Sequence, residues 1–192
     1  MSFVVNPFVV VLDANVLFPV RTRDVLLTFA QEGLFRARFT EEIIDEWMRN
    51  LVALKPHLRA SIERQADLIR EHFGECFVEG YTSLVEGLDL PDADDRHVLA
   101  AAIRCSAQVI VTENKRDFPA DRLAEHDVEA IGADDFLANT YDLFPQEACR
   151  ALHAVRRRYR NPAMTASDFL MDLTACGLPR LASFARRDLE FL

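Results

Sequence analysis

Between Pro91 and Phe118 the chain reads PDADDRHVLAAAIRCSAQVIVTENKRDF. Asp92, Asp94 and Asp95 stand at one end of that stretch, Asn114 and Asp117 at the other. Two further carboxylates lie upstream: Asp13, closing the apolar run FVVVL, and Glu46, within EEIIDEWMRNLVAL. The candidate ligands are therefore Asp13, Glu46, Asp95, Asn114 and Asp117, with Asp92 and Asp94 in reserve. They are carboxylates and one amide, with no Cys or His. Hard oxygen donors of this kind suit Mg2+ or Mn2+ rather than Zn2+. A bound divalent cation can acidify a water, align it with a phosphorus and stabilise the leaving oxygen. That chemistry hydrolyses a phosphodiester without a Ser nucleophile or a His base.

Each residue also has a purely structural reading. Asp13 can start a turn or cap a helix. Asp92 or Asp94 can N-cap the helix that follows, with Asp95 in its first turn, but three acids in four residues exceed what a cap needs, and their repulsion is costly without a cation. Asn114 can form an Asx-turn, and Asp117 a turn with Phe118 and Pro119. Glu41, Glu42 and Asp45 suit the dipole and solvation of a helix start. Glu46 lies deeper in its helix, beside Trp47, and is the best candidate there for an inward carboxylate. His97 could act as a base, but a lone helix histidine is more often a surface or packing residue.

These residues need elements to hold them. Phe8 to Leu12 is a continuous β-branched run, the pattern of a strand buried on both faces. Arg21 to Glu32 reads as a helix with Thr22 as N-cap and Gly33 as its stop. Leu34 to Phe39 alternates like a short strand. Thr40 caps a helix whose buried stripe is Ile43, Trp47, Leu51 and Leu54, while Glu42 and Glu46, four apart, share another face. Leu58 to Phe73 is a further amphipathic helix, Cys76 to Val78 a possible short strand, and Gly80 to Leu90 a loop. Val98 to Ile103 is helical, Val109 to Val111 and Val128 to Ile131 are strands, and Ala133 to Tyr141 is a helix. This alternation predicts an α/β fold, a parallel sheet with helices on both faces. In such folds, strand C-termini and helix N-termini share one edge, where sites collect.

Asp142 to Pro145 marks a boundary, dividing the chain into 1–140 and a helical extension over 141–192. In the extension, helices are expected at Gln146 to Tyr159, Thr165 to Cys176 and Pro179 to Leu192. The net charge of the chain is −9, which argues against a general nucleic-acid coat protein. The charge is uneven: residues 141–192 carry 8 Lys and Arg against 6 Asp and Glu, so the acid excess lies in the first part. Arg150, Arg156, Arg157, Arg158 and Arg160 have no acid between them, so they could track a phosphate backbone, face an acidic partner or face the acidic first part. The four cysteines form no C-x-x-C pair and read as cytosolic free thiols. The apolar N-terminus lacks the basic start and cleavage site of a signal peptide, and Asp13 cuts it short of a membrane span. A cytoplasmic protein with no membrane partner is expected. No Gly-rich phosphate loop and no nucleophile elbow occurs.

Four segments, in order and spacing, resemble PIN-domain ribonucleases: VVLDANVLFP, TEEIIDEW, DADDRHVLAAA and VTENKRDF. The resemblance covers about residues 8–137 and is strongest to VapC-type toxins of bacterial type II toxin–antitoxin pairs. The C-terminal segment NPAMTASDFLMDLTACGLPRLASF is similar to a helical extension of one branch of these toxins. The resemblance implies a parallel sheet flanked by helices, Mg2+ or Mn2+ dependence, and endonucleolytic cleavage of RNA. It also implies a cognate antitoxin and a homodimer. By position, Asp13 matches the family's first acid, Glu46 its second and Asp95 best its third, with Asp94 and Asp92 as alternatives. Where the family often has a fourth acid this chain has Asn114, and Asp117 is the candidate for the missing charge. On this reading the catalytic set is Asp13, Glu46, Asp95 and Asp117, and the metal falls to Asp13, Asp95 and Asp117. Asn15 and Thr112 match supporting polar positions. Two competing readings remain: a catalytically weak PIN-like module that binds RNA or an antitoxin, favoured by Asn114, and a phosphatase using Asp13 as nucleophile. The phosphatase is disfavoured because Asn15 stands where a second acid would be expected.

Overall fold

The computed structural model describes residues 8–192; the N-terminal apolar residues 1–7 considered above lie outside the described residues. In chain order the elements are β1 (Val9–Leu12), α1 (Ala14–Leu17), α2 (Val20–Gln31), β2 (Arg36–Arg38), α3 (Glu41–Leu54), α4 (Arg59–His72), α5 (Thr82–Val85) and α6 (Arg96–Arg104). There follow β3 (Val109–Val111), α7 (Ala120–Ala124), β4 (Glu129–Ile131), α8 (Ala133–Leu143), α9 (Pro145–Arg158), α10 (Ala166–Ala175) and α11 (Pro179–Ala185). Short 3-10 turns follow α3, α4 and α11. The fold is α/β, with a central parallel sheet flanked by helices and extra helices at the C-terminus.

The strand order is β2-β1-β3-β4. β1 and β3 run parallel in the centre, with Val10 opposite Val109 and Leu12 opposite Val111. Every residue of these two strands is buried. Successive strand side chains point to opposite faces, so both faces are covered, as the unbroken apolar runs predict. Both strands end at the same level, which brings Asp13 and Thr112 side by side.

The chain forms two compact units. One comprises Phe8–Phe18 and Ala37–Ala130. It holds the paired β1 and β3, against which α6 packs, while α3 packs on α1 and α4. Trp47 of α3 is fully buried in it, and Phe39 meets Phe73 and Phe77 edge to face. The other comprises Pro19–Arg36 and Ile131–Leu192 among the described residues. There α2 packs on α9, and α11 on α8 and α10. The guanidinium of Arg21 lies over the ring of Tyr159, 3.8 Å from its centroid, and pairs with Asp172, while Tyr159 donates to Asp24. This ties α2 to α9 and α10.

Several local expectations are corrected. Thr22 does not cap α2: Pro19 occupies the N-cap position and Thr22 is buried in the first turn. Neither Asp92 nor Asp94 caps α6; Asp95 holds the N-cap position with helical backbone and no side-chain cap bond. Cys76 to Val78 forms a 3-10 turn and a single parallel bridge, Phe39 to Phe77, rather than a strand. The loop from Gly80 contains α5, and the last helix gives way to 3-10 geometry after Ala185.

Candidate metal centre

Asp13 is the first residue beyond β1 and is only 3% exposed. It occupies the N-cap position of α1 but makes no side-chain cap bond. Its Oδ2 instead accepts hydrogen bonds from Thr112 Oγ1 at 2.7 Å and from Asn15 Nδ2. Thr112 Oγ1 in turn accepts from the backbone N–H of Asn114 at 3.0 Å, and Asn15 Oδ1 accepts from the N–H of Glu113 at 3.0 Å. The ends of β1 and β3 are thus laced together around one carboxylate. Burial pushes the Asp13 carboxyl above its ordinary pKa, and the charge of Glu46 adds to that, while the Thr112 hydrogen bond works the other way.

Around Asp13 the other acids converge. Oxygens of Asp92, Asp95 and Asp117 all lie within 4.8 Å of one another, a grouping that can hold a divalent cation. Asp95 is half-buried and its pKa is pushed up to about 7, first by burial and then by the charges of Asp13, Asp92, Asp117 and Glu46. Such crowding is what a cation would relieve. Asn114 Nδ2 stands 3.4 Å from Asp95 Oδ2, as a donor, and Asp117 supplies a carboxylate three residues further on. The cation grouping therefore takes in Asp92, placed in support by the sequence. Asp94 lies on the rim, where its N–H donates to Asp92 Oδ1 at 2.9 Å, an Asx-turn that aims the Asp92 side chain.

The polar face of α3 forms the facing wall of an open cleft of about 600 Å³, lined by Glu42, Glu46, Arg49 and Asn50 on this side and by Asp92, Asp94, Asp95 and Asn114 on the other. Thr40 fixes the start of α3 by accepting from the N–H of Ile43 at 3.1 Å. His97, buried on α6, stands between two carboxylates: its Nε2 is 3.6 Å from Glu46 Oε2 and its Nδ1 3.8 Å from Glu42 Oε2. Burial disfavours a charge on His97, but Glu46 and then Glu42 and Asp13 outweigh it, and its pKa is raised. Glu42 also accepts from Tyr81 Oη at 3.0 Å. Arg49 and Asn50 were not singled out from the sequence, and the flanking of His97 by Glu42 and Glu46 was not foreseen there. The signal lay in the helical spacing of 42, 46, 49 and 50, which places all four on one face.

The C-terminal arginines divide. Arg156 donates to the carbonyls of Leu192 and Met164, and Arg158 to Thr28 Oγ1 at 3.0 Å. Arg150 lies 3.7 Å from Glu147, and Arg150, Arg157, Arg158 and Arg160 are all exposed. All four cysteines are free. No helix among the described residues is long and apolar enough to cross a membrane.

The fold and this centre define a class: an α/β domain whose central strand ends and helix starts gather acids into one candidate cation site. A family model described as the PIN domain matches residues 9–116, more than half of the chain, and the chain belongs to that family. A second model, described as the VapC50 C-terminal domain, matches residues 133–187. The chain is 36% identical over 112 residues to "Putative ribonuclease VapC50" of Mycobacterium tuberculosis (strain ATCC 25618 / H37Rv), a match covering 58% of this chain and 65% of that protein. No solved structure matches it.

Proposed function

We propose that this chain is a metal-dependent endoribonuclease and the toxin component of a type II toxin–antitoxin pair. The observation that carries the reading is the convergence of the Asp92, Asp95 and Asp117 oxygens within 4.8 Å, next to a buried Asp13. The donor chemistry fits Mg2+ or Mn2+: all three are hard carboxylates, and burial, then the charges of Asp13, Asp92 and Asp117, raise Asp95. When bound, the cation would supply Lewis acidity toward the phosphodiester and its attacking water. Asp13, locked by Thr112 and Asn15, is a buried carboxyl oriented at the base of the site. Glu46, set beside His97 on the facing wall, is placed to take a proton from water in the cleft. RNA as substrate is supported by the printed name of the mycobacterial relative. A cognate antitoxin, a homodimer, a cytoplasmic setting and a working division at 1–140 and 141–192 belong to the same proposal, as does RNA contact by the exposed C-terminal arginines.

A second reading keeps the module but not the catalysis: a PIN-like domain that binds RNA or an antitoxin. Asn114, an amide where the family often carries an acid, favours it. Purified total RNA incubated with Mn2+ or Mg2+, with chelator, and with the Asp13→Asn protein separates the two. The expected result is discrete fragments that require metal and vanish in the Asp13→Asn protein, with circular dichroism unchanged. Intact RNA under all conditions, from folded protein free of inhibitor, supports the binding module.

A further inference from the structure

We propose that Arg49, with Asn50 beside it, forms a subsite for a backbone phosphate of RNA adjoining the acidic centre. The proposal rests on the ribonuclease reading for the identity of the ligand. Its geometry rests on α3. Glu42, Glu46, Arg49 and Asn50 follow one another at the i, i+4, i+7, i+8 spacing of a single helix face, and all four line the same cleft. The adjoining face, Ile43, Trp47 and Leu51, about 100° round the helix, is buried, which fixes the direction of the polar one.

The charges of the lining then sort themselves. Glu42, Glu46, Asp92, Asp94 and Asp95 make it strongly acidic, against two basic side chains, His97 and Arg49. His97 is buried between Glu42 and Glu46. Asp45, four residues before Arg49 and its ordinary helical partner, is taken by Arg70 Nη2 at 2.9 Å, and the same arginine holds Glu41. Arg49 is left exposed, with no ion pair among the described residues, at the edge of a cleft full of acids. A polyanion entering this cleft meets repulsion everywhere except at a bound cation and at Arg49. The two lie at different points along the wall, since Arg49 sits about 4.5 Å further along the α3 axis than Glu46. A guanidinium presents a planar fork that matches two phosphate oxygens. The amide of Asn50, one residue on, adds a donor. Arg49 would therefore grip a phosphate flanking the one at the carboxylates and set the register of the strand.

The test is binding of a fluorescein-labelled single-stranded RNA of mixed sequence, followed by anisotropy over a salt series. It uses the full chain carrying Asp13→Asn to prevent cleavage. Adding Arg49→Ala is expected to weaken binding about 10-fold and to reduce the slope of log affinity against log salt by about 0.7, the loss of one phosphate contact. Arg49→Lys should keep the slope and lose only part of the affinity, and Arg49→Glu should bind more weakly than Arg49→Ala. Thermal melts and their response to Mn2+ should match those of the parent. Arg49→Ala and Arg49→Glu proteins that bind with parental affinity and slope overturn the subsite. Cleavage by the chain with native Asp13 is followed in parallel. Arg49-dependent binding without cleavage by that protein removes the nuclease reading and leaves the subsite standing. Asp13-dependent cleavage with Arg49-independent binding removes the subsite alone. No RNA binding at all removes the subsite, and cleavage then decides the fate of the nuclease reading.

Discussion

At the scale of single residues, the centre is a set of carboxylates held where they repel one another. Asp95 shows the consequence most directly. Its carboxyl, ordinarily at 3.8, is raised to about 7 by burial and by the charges of Asp13, Asp92, Asp117 and Glu46. In the absence of metal the folded chain therefore binds this proton more tightly than the unfolded chain does. The sign follows: this group's destabilisation is absent below pH 3.8, grows as pH rises, and is complete above about pH 7. Asp95→Asn removes the charge and keeps the shape. In chelator near pH 8 the variant should be more stable than the wild type by about 1 kcal/mol, a modest figure because the group is half exposed and screened. Near pH 4 the difference should disappear. In Mn2+ the order should reverse, because the wild type binds the cation more tightly than a variant with one carboxylate fewer. Thermal melts of both proteins across pH, with and without metal, measure this. An Asp95→Asn protein that melts below the wild type near pH 8 in chelator would show that Asp95 stabilises the metal-free fold.

At the scale of elements, α3 supplies one wall of the cleft, and its start and most of its buried stripe are legible in the sequence. Thr40 begins it, Glu41 and Glu42 follow in the first turn, and Ile43, Trp47 and Leu51 are buried as expected, whereas Leu54, expected in the stripe, is exposed at the helix end and Ile44 is buried in addition. β1 and β3 were legible for the same kind of reason, since unbroken β-branched runs declare strands covered on both faces. The short helices were not: α1, α5 and α7 span four or five residues, too few for a periodicity to emerge. Propensity also misplaced two helix starts. Thr22 is a good capping residue, but Pro19, with backbone already extended, precedes it and starts α2 earlier. Asp92 is a good cap as well, but its side chain turns onto the N–H of Asp94, and α6 begins two residues after Asp94 with Asp95 at the N-cap position and no side-chain cap bond. His97 read as an ordinary packing residue because nothing local to α6 announces that Glu42 and Glu46 will flank it. Those partners come from α3, about fifty positions away in the chain. The role of Thr40 yields a prediction that belongs to this scale. It is fully buried and its hydroxyl serves the N–H of Ile43. Thr40→Ala should cost about 1–2 kcal/mol in urea denaturation, through the lost cap and an unsatisfied buried donor. A variant with wild-type stability would mean that the first turn of α3 is held by its packing alone.

At the scale of the whole molecule, every carboxylate of the centre belongs to one compact unit, that of Phe8–Phe18 and Ala37–Ala130. The sequence placed the acid excess in the first part of the chain but gave no sign that α2 would group with the C-terminal helices, because the residues that join them, Arg21, Asp24, Tyr159 and Asp172, are far apart along the chain. The same distance hid the internal use of Arg156 and Arg158, which read from sequence as an unbroken basic run. This division of labour has a measurable consequence. A ligand that binds only the folded form stabilises by an amount set by its concentration over its Kd, about 2.7 kcal/mol at a hundredfold excess. Amides that exchange by local opening report only the segment that the ligand braces. Hydrogen exchange with and without Mn2+ should therefore show slower exchange at the start of α6, in the segment from Thr112 to Asp117 and along α3. Exchange in α9, α10 and α11 should be unaltered. Asp117→Asn, which removes one of the three oxygens grouped within 4.8 Å, should weaken that protection at any given Mn2+ concentration. Equal slowing in every helix would mean that the two units open together, as a single cooperative body. Protection that persists unchanged in the Asp117→Asn protein would place the cation away from the Asp92, Asp95 and Asp117 group. Protection confined to the carboxylate segments and lost with Asp117 would tie the cation to the place where β3 ends and α6 begins.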